Sequence, residues 1–526
     1  MKAWLTNLWK NYKVLIVFLV VLTIFRIAII NINVTEWGDS FRILRAAKYL
    51  LNLTYPLDEK RLPFFSLLLS PGILVLEPVL WGRIFAIGMT IVNLFLTAIL
   101  FRTLFPKVKN SVITLAVVLL AINPIFFYWS LRIMAETTFV SLVLLAFIVY
   151  FKGIRSNRSW WPYFLGLVLA LGALTRYEGF LLSGSFGLVF LLKRQWSNIF
   201  KTFSVWFVLV APWFVLTKLI LHGGTSNAYV SELGTFNFDL NRLGYFITYT
   251  LFFLGYPILL SLIVPSIISW RKRLVSVIHA AATSPLWIFV AIEVALFFVW
   301  TPSLPRIMLS VIPVAYIFAT KALSDIDFRT NRKILILSSS LLLIMFVVLQ
   351  LKFRMYFLVL SRLGEVLIIG LSILGIIAMW RNSKKLFLTG LILSCLIGSF
   401  VVVANQRLVY STIYDVSLKA AGLPGNIAFS DETGVSAWYL GNKGVYYNPS
   451  TPMDVTKQTE WLHQNNIAYV INTNEFNRGD ALNLSKLACS QRVNVTIADT
   501  LDIITQRLGL LKNKQYPVLY SDICKV

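Results

Sequence analysis

The stretch NINVTEWGDSFRILRAAKYLLNLTYPLDEKRLP, residues 31–63, decides how the rest of the sequence is interpreted. It is the first long polar interruption after a membrane-length apolar run, which indicates that the chain leaves the membrane here. Glu36 and Asp39 place two carboxylates just after this exit point. A surface amphipathic helix is predicted directly afterwards, because apolar residues recur at helical spacing opposite a basic face: Phe41, Leu44, Ala47 and Leu51.

The composition is that of an α-helical polytopic membrane protein. Of 526 residues, 58% are hydrophobic and only 13% are charged. The net charge of +25 raises the question of a nucleic-acid partner, so its distribution matters. Residues 1–404 contain 37 Lys and Arg against 13 Asp and Glu, whereas residues 405–526 contain 11 against 10. The excess lies where short basic loops between membrane spans are expected, and nucleic-acid binding is not predicted.

About thirteen membrane helices are predicted from runs of roughly 17 to 25 apolar residues. They cover residues 13–30, 80–103, 111–129, 133–151, 160–175, 178–193, 201–220, 246–269, 285–302, 305–322, 334–351, 357–380 and 386–404. Residues 63–76 are apolar but short and are interpreted as a re-entrant or interfacial segment. The predicted organisation is a transmembrane domain at 1–404, with a first outer loop at 31–63, and a second domain at 405–526.

The charge pattern predicts the orientation. With the N-terminus in the cytoplasm, every predicted inner loop is basic, as the positive-inside rule requires. An odd number of spans then places residues 405–526 outside the cytoplasm. In this tail, helices are predicted at 414–421, 435–440 and 455–464, and strands at 426–430, 445–447 and 467–472, which favours a small α/β domain. Cys489 and Cys524 both lie in this tail, and their pairing stays open.

Charged residues on the predicted outer side are few, and ionisable groups at membrane depth are more often functional than incidental. Four sites there project to one side of the membrane: Glu36, Trp37 and Asp39; Arg132 and Glu136; Arg176 and Glu178; and Arg306. These residues suit transfer of a group from a phosphorylated lipid. Arginine offers a fixed fork of donors to phosphate oxygens, and a single carboxylate such as Asp39 can take the proton of an attacking hydroxyl.

Structural roles stay open for each of these residues. Arg176 and Glu178 would also suit a simple ion pair at a helix hairpin, and Arg132 would also reach lipid headgroups. Glu136 would also serve as an acid in the first turn of a helix, and Asp39 as a helix N-cap.

The chain resembles the C-type glycosyltransferase superfamily, in particular the protein O-mannosyltransferase and aminoarabinose-transferase group, family 39. The matching motifs occur in the family's order: the acid Asp39 before an amphipathic helix; Arg61-Leu62-Pro63-Phe64; Asn123-Pro124-Ile125-Phe126-Phe127 with Arg132 and Ala135-Glu136; Leu174-Thr175-Arg176-Tyr177-Glu178-Gly179; and Arg306 with Ile312-Pro313. The paired acids of protein O-mannosyltransferases are here separated by Trp37-Gly38.

The resemblance implies inverting transfer of a sugar, mannose above all, from a polyprenyl-phosphate carrier at the outer membrane face. Asp39 would be the base and Glu136 would lie close to the reacting centre, so these two are the expected catalytic residues. The expected substrate-binding residues are Glu36, Trp37, Arg61, Arg132, Arg176, Glu178 and Arg306. The acceptor is a lipid, a glycan or a protein. No cofactor is indicated, and a divalent cation stays open.

A transporter or flippase for an anionic lipid or solute is the alternative interpretation. It would also use arginines, and the carboxyl groups of Glu293 and Glu365 within predicted spans would suit ion coupling. The chain shows no inverted repeat, which counts against this alternative. A purely structural scaffold leaves Asp39 and its surroundings unexplained.

Overall fold

The computed structural model describes residues 2–56, 59–156, 158–219, 254–265, 283–299, 305–352, 362–431, 433–447, 455–475, 488–496 and 518–526. These residues form two compact units. The first comprises Met1–Ala28 and Ala46–Val402, and the second comprises Ile29–Arg45 and Val403–Val526. The segment after the first long helix therefore belongs to the same unit as the C-terminal residues.

Helices of 6 to 27 residues make up most of the described chain before the C-terminal sheet. They are α1 (Lys2–Ala28), α2 (Gly38–Leu51), α3 (Pro63–Ile73), α4 (Pro78–Leu104), α5 (Asn110–Ala121), α6 (Pro124–Trp129), α7 (Ala135–Gly153), α8 (Trp161–Thr175), α9 (Glu178–Leu192), α10 (Trp196–Leu219), α11 (Pro285–Val299), α12 (Ile312–Asp325), α13 (Arg332–Lys352), α14 (Arg362–Trp380) and α15 (Lys384–Gln406). Short 3-10 helices occur at Leu259–Leu262 and Pro305–Ser310.

Among the described residues, 5 helices are long and apolar enough to cross a membrane. They are Pro78–Leu104, Ala135–Gly153, Trp196–Thr217, Arg332–Gln350 and Lys384–Ala404. Further apolar helices are shorter, and much of the predicted span at 246–269 lies outside the described residues. The predicted class, an α-helical polytopic membrane protein with a small C-terminal α/β region, is confirmed.

The predicted single span at 111–129 is wrong, because two helices occupy this range. The Oδ1 atom of Asn123 accepts hydrogen bonds from the backbone N–H groups of Ile125 at 3.1 Å and Phe126 at 2.9 Å. Pro124 follows directly and lacks the N–H group that would continue α5. This capped break starts the six-residue helix α6, which has a part in the site described below.

The interfacial segment predicted at 63–76 is the short helix α3. Its Gly72 packs against the indole ring of Trp81 so closely that a Cβ atom at Gly72 would collide with the ring. The Trp81 Nε1–H group also donates to the Leu69 carbonyl at 3.0 Å. The turn to α4 is fixed by Glu77, whose carboxylate accepts from the backbone N–H groups of Val79 and Leu80.

The amphipathic helix predicted within residues 31–63 is present as α2. Phe41, Leu44 and Ala47 are buried, whereas Lys48 is exposed, as the amphipathic spacing predicts. Asp39 lies in the first turn of this helix, where a carboxylate interacts favourably with the helix dipole.

The second unit contains a five-stranded sheet in the order β2-β1-β3-β5-β4. The strands are β1 (Asn426–Phe429), β2 (Gly444–Tyr446), β3 (Ile467–Thr473), β4 (Ala488–Thr496) and β5 (Val518–Lys525), and the helices are α16 (Ser411–Ala421), α17 (Val435–Leu440) and α18 (Val455–Gln464). Strand β1 pairs in parallel with β2 and β3, and β5 pairs antiparallel with β3 and β4.

A disulfide bond joins Cys489 on β4 to Cys524 on β5. The two residues are direct partners in the antiparallel register of these strands. The bond therefore fixes the edge strand β4 to the sheet and closes a loop with a sequence separation of 35 residues.

Candidate active site

Two glutamates and two arginines meet inside the first unit. The Nη1 atom of Arg176 lies 2.5 Å from Oε1 of Glu136, and the Nε atom of Arg306 lies 3.5 Å from the same oxygen. Arg176 also donates through Nε and Nη2 to Oε1 of Glu178, with 3.1 Å for the Nε contact. The side chain of Glu136 is 5% exposed, so its charge depends on these two arginines for compensation.

The α8–α9 hairpin positions two members of this cluster. Helix α8 ends at Thr175, Arg176 adopts an extended backbone, and α9 begins at Glu178, so both charged side chains come from one tight turn. Gly179 makes the turn possible, because a Cβ atom there would collide with the backbone of Gly172 on α8. The predicted motif from Leu174 to Gly179 is thus explained by close helix packing as well as by its charges.

The short helix α6 supplies aromatic rings to two arginines. The guanidinium group of Arg132 lies 5.3 Å from the ring centroid of Tyr128, and that of Arg306 lies 5.7 Å from Trp129. Arg132 is only 1% exposed. These cation–π contacts hold both guanidinium groups in place in a poorly hydrated environment. The Asn-Pro break before α6 is therefore what turns these two rings toward the arginines.

The end of the first polar stretch lies near the same hairpin. Arg61 pairs with Glu59 through its Nη1 atom at 2.8 Å. The Tyr177 hydroxyl, from the α8–α9 turn, donates to the carbonyl of Lys60 at 3.3 Å, which brings Arg61 close to this turn. Burial raises the pKa of Tyr55, and the Glu59 carboxylate raises it further. The Tyr55 phenol therefore stays neutral and donates to the Arg61 carbonyl at 2.8 Å.

The remaining predicted site residues lie in the second unit. Glu36 is fully buried, and the ring of Trp37 packs edge-on against Tyr410 at 5.9 Å between centroids. Asp39 is half-buried at the start of α2, where the Ser40 N–H group donates to the Trp37 carbonyl at 2.8 Å. The segment that carries the predicted base is thus part of a folded unit rather than an isolated loop.

Two charged residues buried in the first unit add to the predicted set. Arg26 on α1 is fully buried; its Nη1 atom donates to Ser130 Oγ at 2.7 Å and its guanidinium lies 4.8 Å from the Phe127 ring. Glu293 on α11 is also fully buried and interacts electrostatically with Glu178 and Arg176. The only sequence signal for Arg26 is a charge within an apolar run.

A divalent cation does not fit the glutamates of this site, because the carboxylates of Glu136 and Glu178 are engaged by guanidinium groups. Within the parts of the chain that the structure describes, one group has ligand atoms close enough to hold a metal ion: Cys489, Asp522 and Cys524. Both cysteines there are joined in the disulfide.

Comparison with known proteins supplies independent information. Residues 63–220 match the family described as dolichyl-phosphate-mannose-protein mannosyltransferase. The structure of ArnT from Cupriavidus metallidurans bound to undecaprenyl phosphate is similar, with a TM-score of 0.60, 12% identity, and coverage of 97% of this chain and 98% of that chain. In its apo state that protein gives a TM-score of 0.56, again at 12% identity and with 98% of both chains covered.

A second similar protein is the oligosaccharyltransferase AglB from Archaeoglobus fulgidus, in complex with an inhibitory peptide and a dolichol-phosphate. It has a TM-score of 0.50, 12% identity, and coverage of 88% of this chain and 70% of that chain. No curated protein sequence matches the chain. The shared fold and the family match over 63–220 confirm the sequence resemblance and place the chain among membrane proteins of the C-type (GT-C) glycosyltransferase fold.

Proposed function

We propose that the protein transfers a monosaccharide, mannose in the first instance, from a polyprenyl-phosphate carrier to a hydroxyl acceptor at the outer membrane face. The family matched by residues 63–220 is described by dolichyl-phosphate-mannose as donor, and the two similar structures contain undecaprenyl phosphate and dolichol-phosphate. The observation that carries the proposal is the cluster of Glu136, Arg176, Glu178 and Arg306. The first three of these residues lie within the matched region 63–220, and Arg306 lies after it.

The cluster suits an arriving lipid phosphate. The charges of two arginines and two glutamates balance, so the guanidinium forks are held in place before substrate binds. A phosphate can then exchange with a carboxylate at one fork without reorganising the site, and the arginines stabilise the charge that develops on the departing lipid phosphate. In this proposal Glu136 acts on the reaction through Arg176 and Arg306, whose orientation it sets.

Asp39 is proposed as the base. A half-buried carboxylate at the start of a helix can accept the proton of the acceptor hydroxyl as this oxygen attacks the sugar carbon. The bond from sugar to phosphate breaks in the same displacement, so the configuration at the sugar carbon inverts. One base is enough for this reaction, unlike the pair of carboxylates that glycoside hydrolysis requires.

The orientation is also part of the proposal. The basic predicted inner loops favour an N-terminus in the cytoplasm and a C-terminal domain outside. The disulfide between Cys489 and Cys524 supports this assignment, because such bonds persist in oxidising compartments and are rare in the cytosol.

A transporter for an anionic lipid is the second candidate, and Glu293 favours it. Both carboxyl oxygens of this residue are buried without a hydrogen-bond partner among the described residues, next to Arg176 and Glu178. A buried carboxyl group beside an arginine is a typical element of proton-coupled transport. Consumption of the donor separates the two candidates, because a transporter relocates the lipid without cleaving it.

The test uses full-length protein in nanodiscs, labelled undecaprenyl-phosphate mannose, and a pool of lipid and peptide acceptors. We expect the wild type to consume the donor and Asp39→Asn to be inactive, with Asp325→Asn, which changes an exposed carboxylate paired with Lys321, as the control of unchanged activity. Wild-type turnover in Asp39→Asn would contradict the role of Asp39. Absence of donor loss with mannose, glucose, galactose and aminoarabinose carriers would contradict the transferase itself.

A further inference from the structure

The segment that carries Asp39 docks onto the C-terminal part of its own unit. The backbone N–H group of Val34 donates to the Arg407 carbonyl at 3.1 Å, which anchors the start of the segment. Farther along, the ring of Phe41 lies 5.6 Å from that of Trp438 and 5.8 Å from that of Tyr439 on α17. Phe41 is 2% exposed. The segment is therefore held on both sides of Asp39, by a backbone bond before it and an aromatic cluster after it.

The closest approach occurs at Gly38, the residue before Asp39. A Cβ atom at Gly38 would collide with the carbonyl oxygen of Thr433 and would lie 2.7 Å from its carbonyl carbon. Gly434 follows with a positive φ of 76°, and a Cβ atom there would lie 3.6 Å from the Gly38 carbonyl oxygen. The two backbones are thus in direct contact, and only glycine at position 38 allows it.

Thr433 is held in place by two hydrogen bonds of its own hydroxyl group. Its hydroxyl donates to Oδ1 of Asp431 and accepts from the backbone N–H group of Val435 at 3.2 Å. Asp431 is 2% exposed and follows β1, at the carboxyl end of a strand with parallel neighbours on both sides. Burial raises the pKa of Asp431 to about 6. The unit therefore retains a carboxylate that is costly at neutral pH, as expected where function sets the residue rather than stability.

We propose that the contact of Gly38 with the backbone of Thr433 positions Asp39, with Thr433 and Gly38 as positioning residues. The hydroxyl of Thr433 fixes its own backbone, this backbone supports Gly38, and Gly38 sets where the first turn of α2 presents the Asp39 carboxylate. The inference rests on the proposed function only in taking Asp39 as the base. The docking of the segment is a separate statement, which can be measured without any substrate.

The experiment compares Thr433→Val, Thr433→Ser and Gly38→Ala in the full-length protein in nanodiscs. Valine keeps the shape of threonine and removes its hydroxyl, whereas serine keeps the hydroxyl. Hydrogen–deuterium exchange of the peptide covering residues 34–45 reports docking, and turnover of labelled undecaprenyl-phosphate mannose reports positioning. We expect Thr433→Val and Gly38→Ala to exchange faster in this peptide and to lose about 10- to 100-fold in kcat, with an unchanged KM for the donor. Thr433→Ser is expected to behave as the wild type.

Unchanged exchange at residues 34–45 in both Thr433→Val and Gly38→Ala would overturn the inference. So would faster exchange with wild-type kcat, because docking would then not position the base. A fall in thermal stability with kcat per folded molecule unchanged would assign Thr433 a merely structural role and also overturn it. Gly38→Ala tests the contact from the other side if Thr433→Val fails to fold. Activity retained in Asp39→Asn would instead contradict the proposed base and leave the exchange result standing.

Discussion

The buried carboxyl group of Asp431 should make the stability of the second unit depend on pH. Burial raises its pKa from the ordinary value of 3.8 to about 6. Because the folded state binds this proton more tightly than the unfolded state, the free energy of unfolding falls as the pH rises from 3.8 to 6 and stays low above it. Above pH 6 the ionised Asp431 lowers the free energy of unfolding by about 3 kcal/mol. Asp431→Asn keeps an oxygen acceptor for the Thr433 hydroxyl and removes the charge, so it should recover this amount at neutral pH.

Amide hydrogen exchange of β1, measured in the full-length protein at pH 4.5 and pH 7.5, tests this prediction. After correction for intrinsic exchange rates, the gain in the asparagine variant should be about 3 kcal/mol at pH 7.5 and about 1 kcal/mol at pH 4.5. Asp415→Asn, on the neighbouring helix α16 of the same unit, is the matched control for an Asp-to-Asn change. Equal gains at both pH values, or a less stable asparagine variant at pH 7.5, would refute the reasoning.

Three further predictions concern the ion pairs and the disulfide. Arg176→Ala should raise the KM for labelled undecaprenyl-phosphate mannose more than the KM for the acceptor, because Arg176 is proposed to bind the donor phosphate; an equal effect on both would contradict that role. Glu136→Gln should lower the free energy of unfolding by roughly 1–3 kcal/mol, measured by thermal unfolding in detergent, since Arg176 loses one of its two carboxylate partners and keeps Glu178; an unchanged stability would contradict the pairing. Reduction of the Cys489–Cys524 bond, or its replacement by two serines, should cost about 4 kcal/mol in the second unit for a separation of 35 residues, and unchanged exchange in β4 would show that the bond does not hold the strand.

Much of the local structure followed from the sequence. The helix predicted at 435–440 and the helix predicted at 455–464 have those bounds in the structure, and the three predicted strands lie within a residue or so of β1, β2 and β3. These elements are short and are bounded by glycine, proline or asparagine, so the residues next to each element determine where it begins and ends. Strands β4 and β5 were not predicted. The residues of β5 lack a regular alternation, whereas Arg492 to Thr496 in β4 alternate polar and apolar residues, a strand signal that the prediction missed.

The candidate site was predictable in part for the same reason. Arg176 and Glu178 belong to one tight turn, so their proximity follows from the local sequence. The approach of Glu136 and Arg306 follows only from how α7 and the 3-10 helix at Pro305–Ser310 pack, although the topology placed them on one side of the membrane. Membership of residues 29–45 in the C-terminal unit carries no local signal at all, since Gly38 and Thr433 meet across almost 400 residues of sequence.

We propose that the protein cleaves a lipid-linked sugar and does not merely move it across the membrane. The most direct measurement reconstitutes the protein in vesicles with doubly labelled donor, one label in the sugar and one in the polyprenyl phosphate, together with acceptor. We expect free polyprenyl phosphate and glycosylated acceptor to appear in equal amounts, and both to be lost in Asp39→Asn. Intact donor that crosses the bilayer with both labels still joined would contradict the proposed transfer and establish a transporter.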